Sequence, residues 1–440
     1  MRSKKNFLLV NPWVYDFALY DLWMKPLGLF RLAGILKNYG NVFLLDCLER
    51  GDPLVNARED AYGCGKFFKV EVDKPPVLQE IRRPYFRYGM PEEKCKEKLS
   101  DIPAPDIIFI TTGMTYWYPG VVKTIKAAKS IFPRAPVVLG GVYATLLPQH
   151  AGSLPGVDEV FTGRDEKELS LFLSRRVEAE VKVPPFPLPD LSLRQRKDSW
   201  VIETSRGCPF SCSYCASRIF SPSLLFRKKE EVMQELIYMR EEGVKHVALY
   251  DEAFLFSPRE HALPLLEEIV GENFPFTFHT PNGLHARFLD IEVAQRLREA
   301  NFLSIRLSLE TAKEDLQRET GGKVKNEELE AALHNLTRAG YSSREIGIYL
   351  MLGLPHSSEK DFKQSVLYVH SLGAKVFLSN FSPIPGTPDW LKLAHRGIVR
   401  ENMDPLWHNN TIFPLKLGWE EKRIREMRLW VKELNRALDN

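Results

Sequence analysis

Long apolar runs are missing from this 440-residue sequence, which excludes a membrane span. The nearest approach is at the N-terminus, where a basic start gives way to Phe7–Val10 before Asn11 and Pro12 break the run. That length suits a buried first strand, not a secretory leader, and the expected location is the cytoplasm. Charge of one sign is lacking too. Sixty basic residues against fifty-seven acidic leave a net charge of +3, which does not indicate a nucleic-acid binder. Cysteine is scarce, six in all, so paired disulfides explain little in a large chain without a leader. No internal repeat or low-complexity tract is present. What remains is 44% hydrophobic and 27% charged, the composition of a globular chain long enough for two or three domains.

Up to about residue 185, short apolar runs alternate with helical periods. The strands expected are Phe7–Val10, Val42–Asp46, Asp106–Thr111, Pro136–Leu139 and Glu159–Thr162, with helices near Leu27–Asn38, Val121–Ile131 and Glu166–Leu173. Such alternation predicts an α/β domain, a parallel Rossmann-like sheet with helices on both faces. Residues 47–104 hold no clean period and read as an irregular insertion. Val183–Asp190 has four prolines in eight residues and reads as a linker. Six further strands follow: Trp200–Ser205, His246–Asp251, Phe276–Thr280, Leu303–Leu309, Ile346–Leu352 and Val376–Phe381, with a helix between each pair. Six such units over residues 195–390, short of the eight of a closed barrel, predict a partial (β/α)6 TIM-type barrel with its active face at the strand C-termini. Residues 391–440 read as a short C-terminal tail ending in a helix, Trp419–Leu438.

Cys47, Cys64 and Cys95 are scattered, whereas Cys208, Cys212 and Cys215 crowd into eight residues of Glu203-Thr-Ser-Arg-Gly-Cys-Pro-Phe-Ser-Cys-Ser-Tyr-Cys215. Thiolates at this spacing can wrap one face of a cubane 4Fe–4S cluster from a single loop, and three ligands leave one iron open. Structural zinc would want a fourth Cys or His close by, and none lies between Glu203 and Lys229.

This motif, with an aromatic before its last cysteine and a place at the end of the first barrel strand, resembles the radical S-adenosylmethionine superfamily. The resemblance implies that the open iron binds the amino and carboxylate groups of S-adenosylmethionine. One electron then cleaves the sulfonium, leaving methionine and a 5′-deoxyadenosyl radical. Tyr214 stands where the family's aromatic lies against the adenine. Asp251 and Glu252 close the second strand, where the family holds the amino group, and Asn282 closes the third. Ser308 and Glu310 close the fourth, in the place of ribose- and amino-contacting residues. Lys323 is placed for the carboxylate, and Gly353 and Pro355 for the adenine. A flavodoxin or ferredoxin is the implied electron donor.

Residues 1–185 resemble the cobalamin-binding domain often found ahead of this barrel, through Leu139-Gly-Gly141-Val-Tyr-Ala144-Thr145 and Thr162-Gly-Arg-Asp-Glu166. Two features depart from it. There is no Asp-x-His-x-x-Gly, and Tyr116-Trp117-Tyr118 stand after the third strand, where they are expected to fill the corrin's place. The expectation is therefore a retained scaffold with cobalamin disfavoured. Lys66, Phe67, Arg82 and Arg83 of the insertion, with Tyr116 and Trp117, are candidates for a substrate lid, an anionic substrate suiting the basic members. The first functional reading is hydrogen abstraction by the deoxyadenosyl radical from an unidentified substrate. The alternative is a cobalamin-dependent methyltransferase, and a third reading is a non-enzymatic metal-binding protein.

Overall fold

The computed structural model describes residues 4–51, 56–163 and 165–439. The chain divides into two compact units, Met1–Lys197 with Asp404–His408, and Asp198–Met403 with Asn409–Asn440. Among the described residues no helix is long and apolar enough to cross a membrane.

The first unit is built on five parallel strands, in spatial order Glu159–Val160, Val137–Gly140, Ile107–Thr111, Lys5–Asn11 and Gly40–Asp46. Phe7, Leu8, Leu9 and Val10 are all buried, as a central parallel strand covered on both faces requires. Val10 pairs with Leu45 on one side and Ile110 on the other. Numbered along the chain, the order is 2-1-3-4-5. The connections reverse direction between the first and third strands, and a doubly wound sheet opens its ligand crevice at that point. The proline-rich linker is docked, not free. Asp190 N–H donates to Phe30 O at 3.0 Å, and a Cβ on Gly34 would stand 2.0 Å from Leu188 O. Only glycine allows the segment to lie on the helix Leu27–Leu36.

The insertion, expected to be irregular, is ordered where described. Val14–Asp16, Tyr85–Tyr88 and Lys69–Val72 form a three-stranded antiparallel sheet, Asn56–Glu59 pairs with Gly65–Phe67, and Glu92–Ser100 is a helix. The period is hidden because Arg87, in mid-strand, is buried. It pairs with Glu92 and lies 5.4 Å from the centre of the Trp13 ring. Cys47 and Cys95, far apart in sequence, bring buried thiols into hydrogen-bond contact. Burial pushes the Cys47 thiol well above its ordinary value, which makes it inert core material. Cys64 is likewise buried and pushed up to about 12, first by burial.

The second unit is an open sheet of six parallel strands in chain order: Ser199–Ile202, His246–Leu249, Thr277–His279, Phe302–Glu310, Ile346–Leu352 and Lys375–Asn380. Helices between them start at conventional caps; Asp290 accepts from Val293 N–H at 2.9 Å, and Ser358 and Asp361 form a reciprocal box. The last fifty residues are not an independent tail. Within this unit the helix Glu421–Ala437 covers the outer edge strand, where Asn435 accepts from Val376 N–H at 2.9 Å and donates to Val376 O at 2.8 Å. One amide side chain thus satisfies both open groups of an edge residue that could otherwise recruit a foreign strand. Asp404–His408 groups instead with the first unit, where His408 Nδ1 meets Thr115 Oγ1 at 3.0 Å and Tyr118 donates to Asp404.

Candidate active site

The first barrel strand is buried throughout and delivers Glu203–Arg206 to the strand C-termini. Asp251, at the end of the second strand and 3% exposed, gathers this segment. Its carboxylate accepts from Thr204 N–H at 3.1 Å, Thr204 Oγ1 at 2.6 Å and Ser205 Oγ at 2.7 Å. His261 Nε2 reaches Thr204 Oγ1 at 2.8 Å; with that hydroxyl's proton on Asp251, the imidazole must be the donor. Burial lowers His261 to about 4, so it stays neutral. Glu252 accepts from Gly207 N–H at 2.9 Å, and Gly207 takes φ +90° where a Cβ would meet Ser223 O at 2.3 Å.

From this base the loop carries Cys208, Cys212 and Cys215, with Cys215 N–H donating to Cys212 O at 3.1 Å. Its far side is also fastened. Ser213 N–H donates to Thr320 O at 3.1 Å, Ser213 Oγ to Asp389 Oδ2 at 3.0 Å, and Ser217 N–H to the Cys215 sulfur at 3.4 Å. A Cβ on Gly321 would stand 2.8 Å from Ser211 O, so the 320–322 turn touches the loop's backbone. Burial raises Cys208 above its ordinary value and lifts Cys212 to about 11, while the Lys323 ammonium pulls both down. Three thiols on one clamped loop beside a cation suit a cluster, whose assembly deprotonates its ligands.

The other predicted residues come together around this loop. The phenol of Tyr214 meets both the Glu310 carboxylate and the Cys212 sulfur. Glu310 ends the fourth strand at φ +67°, where the pairing to the fifth slips between Ser308 and Glu310. A non-glycine residue held there stores roughly 1–3 kcal/mol of strain, a cost met most often at binding sites. Burial raises Glu310 and Lys323 opposes it; Glu252 is raised to about 7, again first by burial. Asn282 donates to Tyr250 O at 2.8 Å, and Ser308 is buried against Gly283, whose Cβ would stand 2.6 Å from Ser308 Oγ.

Two of the predicted positions are also engaged by the chain itself. Both Asp251 oxygens are engaged by Thr204 and Ser205, so this carboxylate positions the segment leading to the cluster loop. The side of Gly353 where a Cβ would stand is filled by Pro414 at 2.9 Å, and Pro355 is buried beside it. Neither arrangement is legible in the sequence, because the partners lie 46 and more residues away.

In the first unit, Phe67, Tyr116 and Trp117 share one buried cluster with Val14, Leu48 and Tyr88. Trp117 Nε1 donates to Asp16 at 2.8 Å. These rings are buried against the insertion's sheet, beside residues that follow the ends of the first two strands. Lys66 and Arg82 are exposed, and Arg83 lies 5.1 Å from the centre of the Phe17 ring. What the loop after the third strand presents outward is Met114, 40% exposed, next to Gly113. A Cβ on Gly113 or Gly140 would meet nothing closer than 3.5 Å, so backbone at the ends of the third and fourth strands is open to approach. An apolar side chain and a bare glycine after the third strand, which borders the switch point, with a second open glycine on the next strand, suit a flat apolar ligand. The second glycine segment, Thr162–Glu166, includes Arg164, which lies outside the described residues.

Known proteins agree with this architecture. Residues 202–369 match the model of the radical SAM superfamily, and residues 90–173 match that of the B12 binding domain. The chain is 22% identical to cytidylyl-2-hydroxyethylphosphonate methyltransferase of Streptomyces wedmorensis, over 97% of this chain and 89% of that one. It is 24% identical to an uncharacterized methyltransferase of Pyrococcus horikoshii, over 65% and 69%. The fold resembles that of the radical S-adenosylmethionine methyltransferase TsrM from Kitasatospora setae, solved with cobalamin and a 4Fe–4S cluster bound. That match has a TM-score of 0.65 at 17% identity and covers 90% of this chain and 75% of that one. The chain is a radical S-adenosylmethionine enzyme, of the branch with a cobalamin-binding-like domain ahead of the barrel.

Proposed function

We propose that the chain is a cobalamin-dependent methyltransferase that takes its methyl group from S-adenosylmethionine. The observation that carries this is the pairing, in one chain, of a clamped three-cysteine loop with a 2-1-3-4-5 sheet whose third and fourth strands, with open glycines at or just beyond their ends, fall within the B12-binding match. It reverses the order of the sequence readings, which put hydrogen abstraction without cobalamin first. The relatives described as methyltransferases support the reversal.

In this reading Cys208, Cys212 and Cys215 hold the cluster. Glu252 and Glu310 are the acceptors for the cofactor's amino group and Lys323 the cation for its carboxylate, with Tyr214, Asn282 and Ser308 shaping the wall around them. Asp251 positions the loop from behind. Gly113, Gly140 and Met114 lie against the corrin. Once bound, these groups supply one-electron chemistry at the sulfonium and a carrier for the methyl group. The electron comes from a donor of the flavodoxin or ferredoxin kind. The exposed Lys66 and Arg82 suit an anionic substrate, the kind that the name of the S. wedmorensis relative describes for that enzyme.

The test follows the methyl group. Reduced, corrin-loaded protein incubated with S-adenosylmethionine labelled in its methyl carbon should place label in the corrin fraction. Label confined to S-adenosylmethionine and methionine, with 5′-deoxyadenosine accumulating alone, would return hydrogen abstraction to first place.

A further inference from the structure

His285 is a buried polar side chain without a partner. It follows the third barrel strand in Pro281-Asn-Gly-Leu-His285 and is 2% exposed, and neither ring nitrogen meets a hydrogen-bond partner among the described residues. The other fully buried histidines of the described chain are each held. His261 bonds Thr204, His279 bonds Thr277 and Ser304, and His408 bonds Thr115. A buried donor left unmet costs about 1–3 kcal/mol, so an orphaned imidazole calls for an explanation.

Its surroundings supply one. The ring stacks on Phe210, with centroids 4.8 Å apart and planes at 21°, and Phe210 belongs to the loop between Cys208 and Cys212. The Arg287 guanidinium lies 5.2 Å from the centre of the same Phe210 ring, and it donates to Gly322 O at 2.9 Å beside Lys323. Burial, then the charges of Lys323 and Arg287, hold His285 down to about 3, so the imidazole is neutral and carries one N–H. The cations around it favour an anionic partner. Lys323 is also the charge that acts on Cys208, Cys212 and Glu310.

We propose that His285 is a binding residue, whose ring N–H donates to an anionic acceptor that the loaded centre brings beside the cysteine loop. That acceptor is either a sulfur of the iron–sulfur cluster or the carboxylate of S-adenosylmethionine. The inference rests on a cluster at Cys208, Cys212 and Cys215 and is independent of the corrin.

The test compares full-length wild type with His285→Phe, which keeps the stack on Phe210 and removes both nitrogens. The melting temperature of the cluster-free variant should equal or exceed that of wild type, because the orphaned groups are gone. After anaerobic reconstitution, wild-type iron of about four per chain reports on the cluster separately. If the acceptor is a cluster sulfur, the variant's reduction potential moves to more negative values without S-adenosylmethionine, because a hydrogen bond to sulfur stabilises the reduced cluster. If it is the carboxylate, the potential stays and S-adenosylmethionine binds roughly ten- to a hundred-fold more weakly. Decarboxylated S-adenosylmethionine then binds both proteins alike. Equal potential and equal affinity in the two proteins would overturn the proposal. So would a lower melting temperature of the cluster-free variant, which would make the ring a structural element.

Discussion

Replacing Cys212 with alanine should abolish the bound cluster and, with it, all cleavage of S-adenosylmethionine. The loop supplies three thiols, and the fourth iron has to stay open for the cofactor, so no protein ligand is spare. Cys212 is also the thiol that touches Tyr214, which in turn reaches Glu310, so its loss uncouples the loop from the fourth strand. The fold should survive. The loop is fastened independently, by Glu252 on Gly207, by Asp389 on Ser213 and by Asp251 on Thr204 and Ser205. Iron analysis of anaerobically reconstituted protein, with chromatography of 5′-deoxyadenosine, reads the effect. Full iron and normal cleavage in the variant would remove the cluster from these cysteines.

Asp251→Ala should act at a distance on the same centre. The carboxylate receives a backbone N–H and two hydroxyls, all buried, and alanine leaves those donors with nothing to meet. At about 1–3 kcal/mol for each unmet buried donor, the second unit should lose roughly 3 kcal/mol or more of stability, with cluster content falling as the loop's base loosens. Asp251→Asn keeps an acceptor in place and should retain both. The Asn variant is also set apart from wild type through pH. Burial, the largest influence, lifts Asp251 from 3.8 to about 6 in the folded chain, so the folded state binds the proton more tightly than the unfolded one. Stability from this group is full below 3.8 and is lost as the pH rises through about 6. Asparagine carries no such titration, so the Asn variant should gain on wild type between those two values. Denaturant unfolding at three or four pH values measures it. An Ala variant as stable and as rich in iron as wild type would show that Asp251 does not organise the loop.

What the sequence disclosed was what depends on near neighbours. A strand such as Ile346–Leu352 reads as a strand because both faces are covered and nearly every residue is apolar. The cysteine motif is legible because its chemistry lies in consecutive spacing. The insertion was opaque because a guanidinium, Arg87, is buried in mid-strand and its partner Glu92 lies on the following helix. The partners of Tyr116 and Trp117, Asp16 and Phe67 among them, were not legible because they come from elements with no visible period. Asp251 looked like a cofactor ligand for the same kind of reason. A carboxylate at a strand end is equally a ligand or an anchor until the position of Thr204 is known. His285 gave no signal, since Pro-Asn-Gly-Leu-His reads as a turn.

The claim that the first unit carries a corrin is tested most directly by adding hydroxocobalamin to the purified protein, removing the excess by gel filtration and recording the visible spectrum of the protein peak. The account predicts about one corrin per chain in wild type. It predicts far less in Met114→Arg, which sets a bulky charge at the exposed apolar tip of the loop after the third strand. A wild-type peak free of corrin absorbance, from protein that still cleaves S-adenosylmethionine, would contradict it.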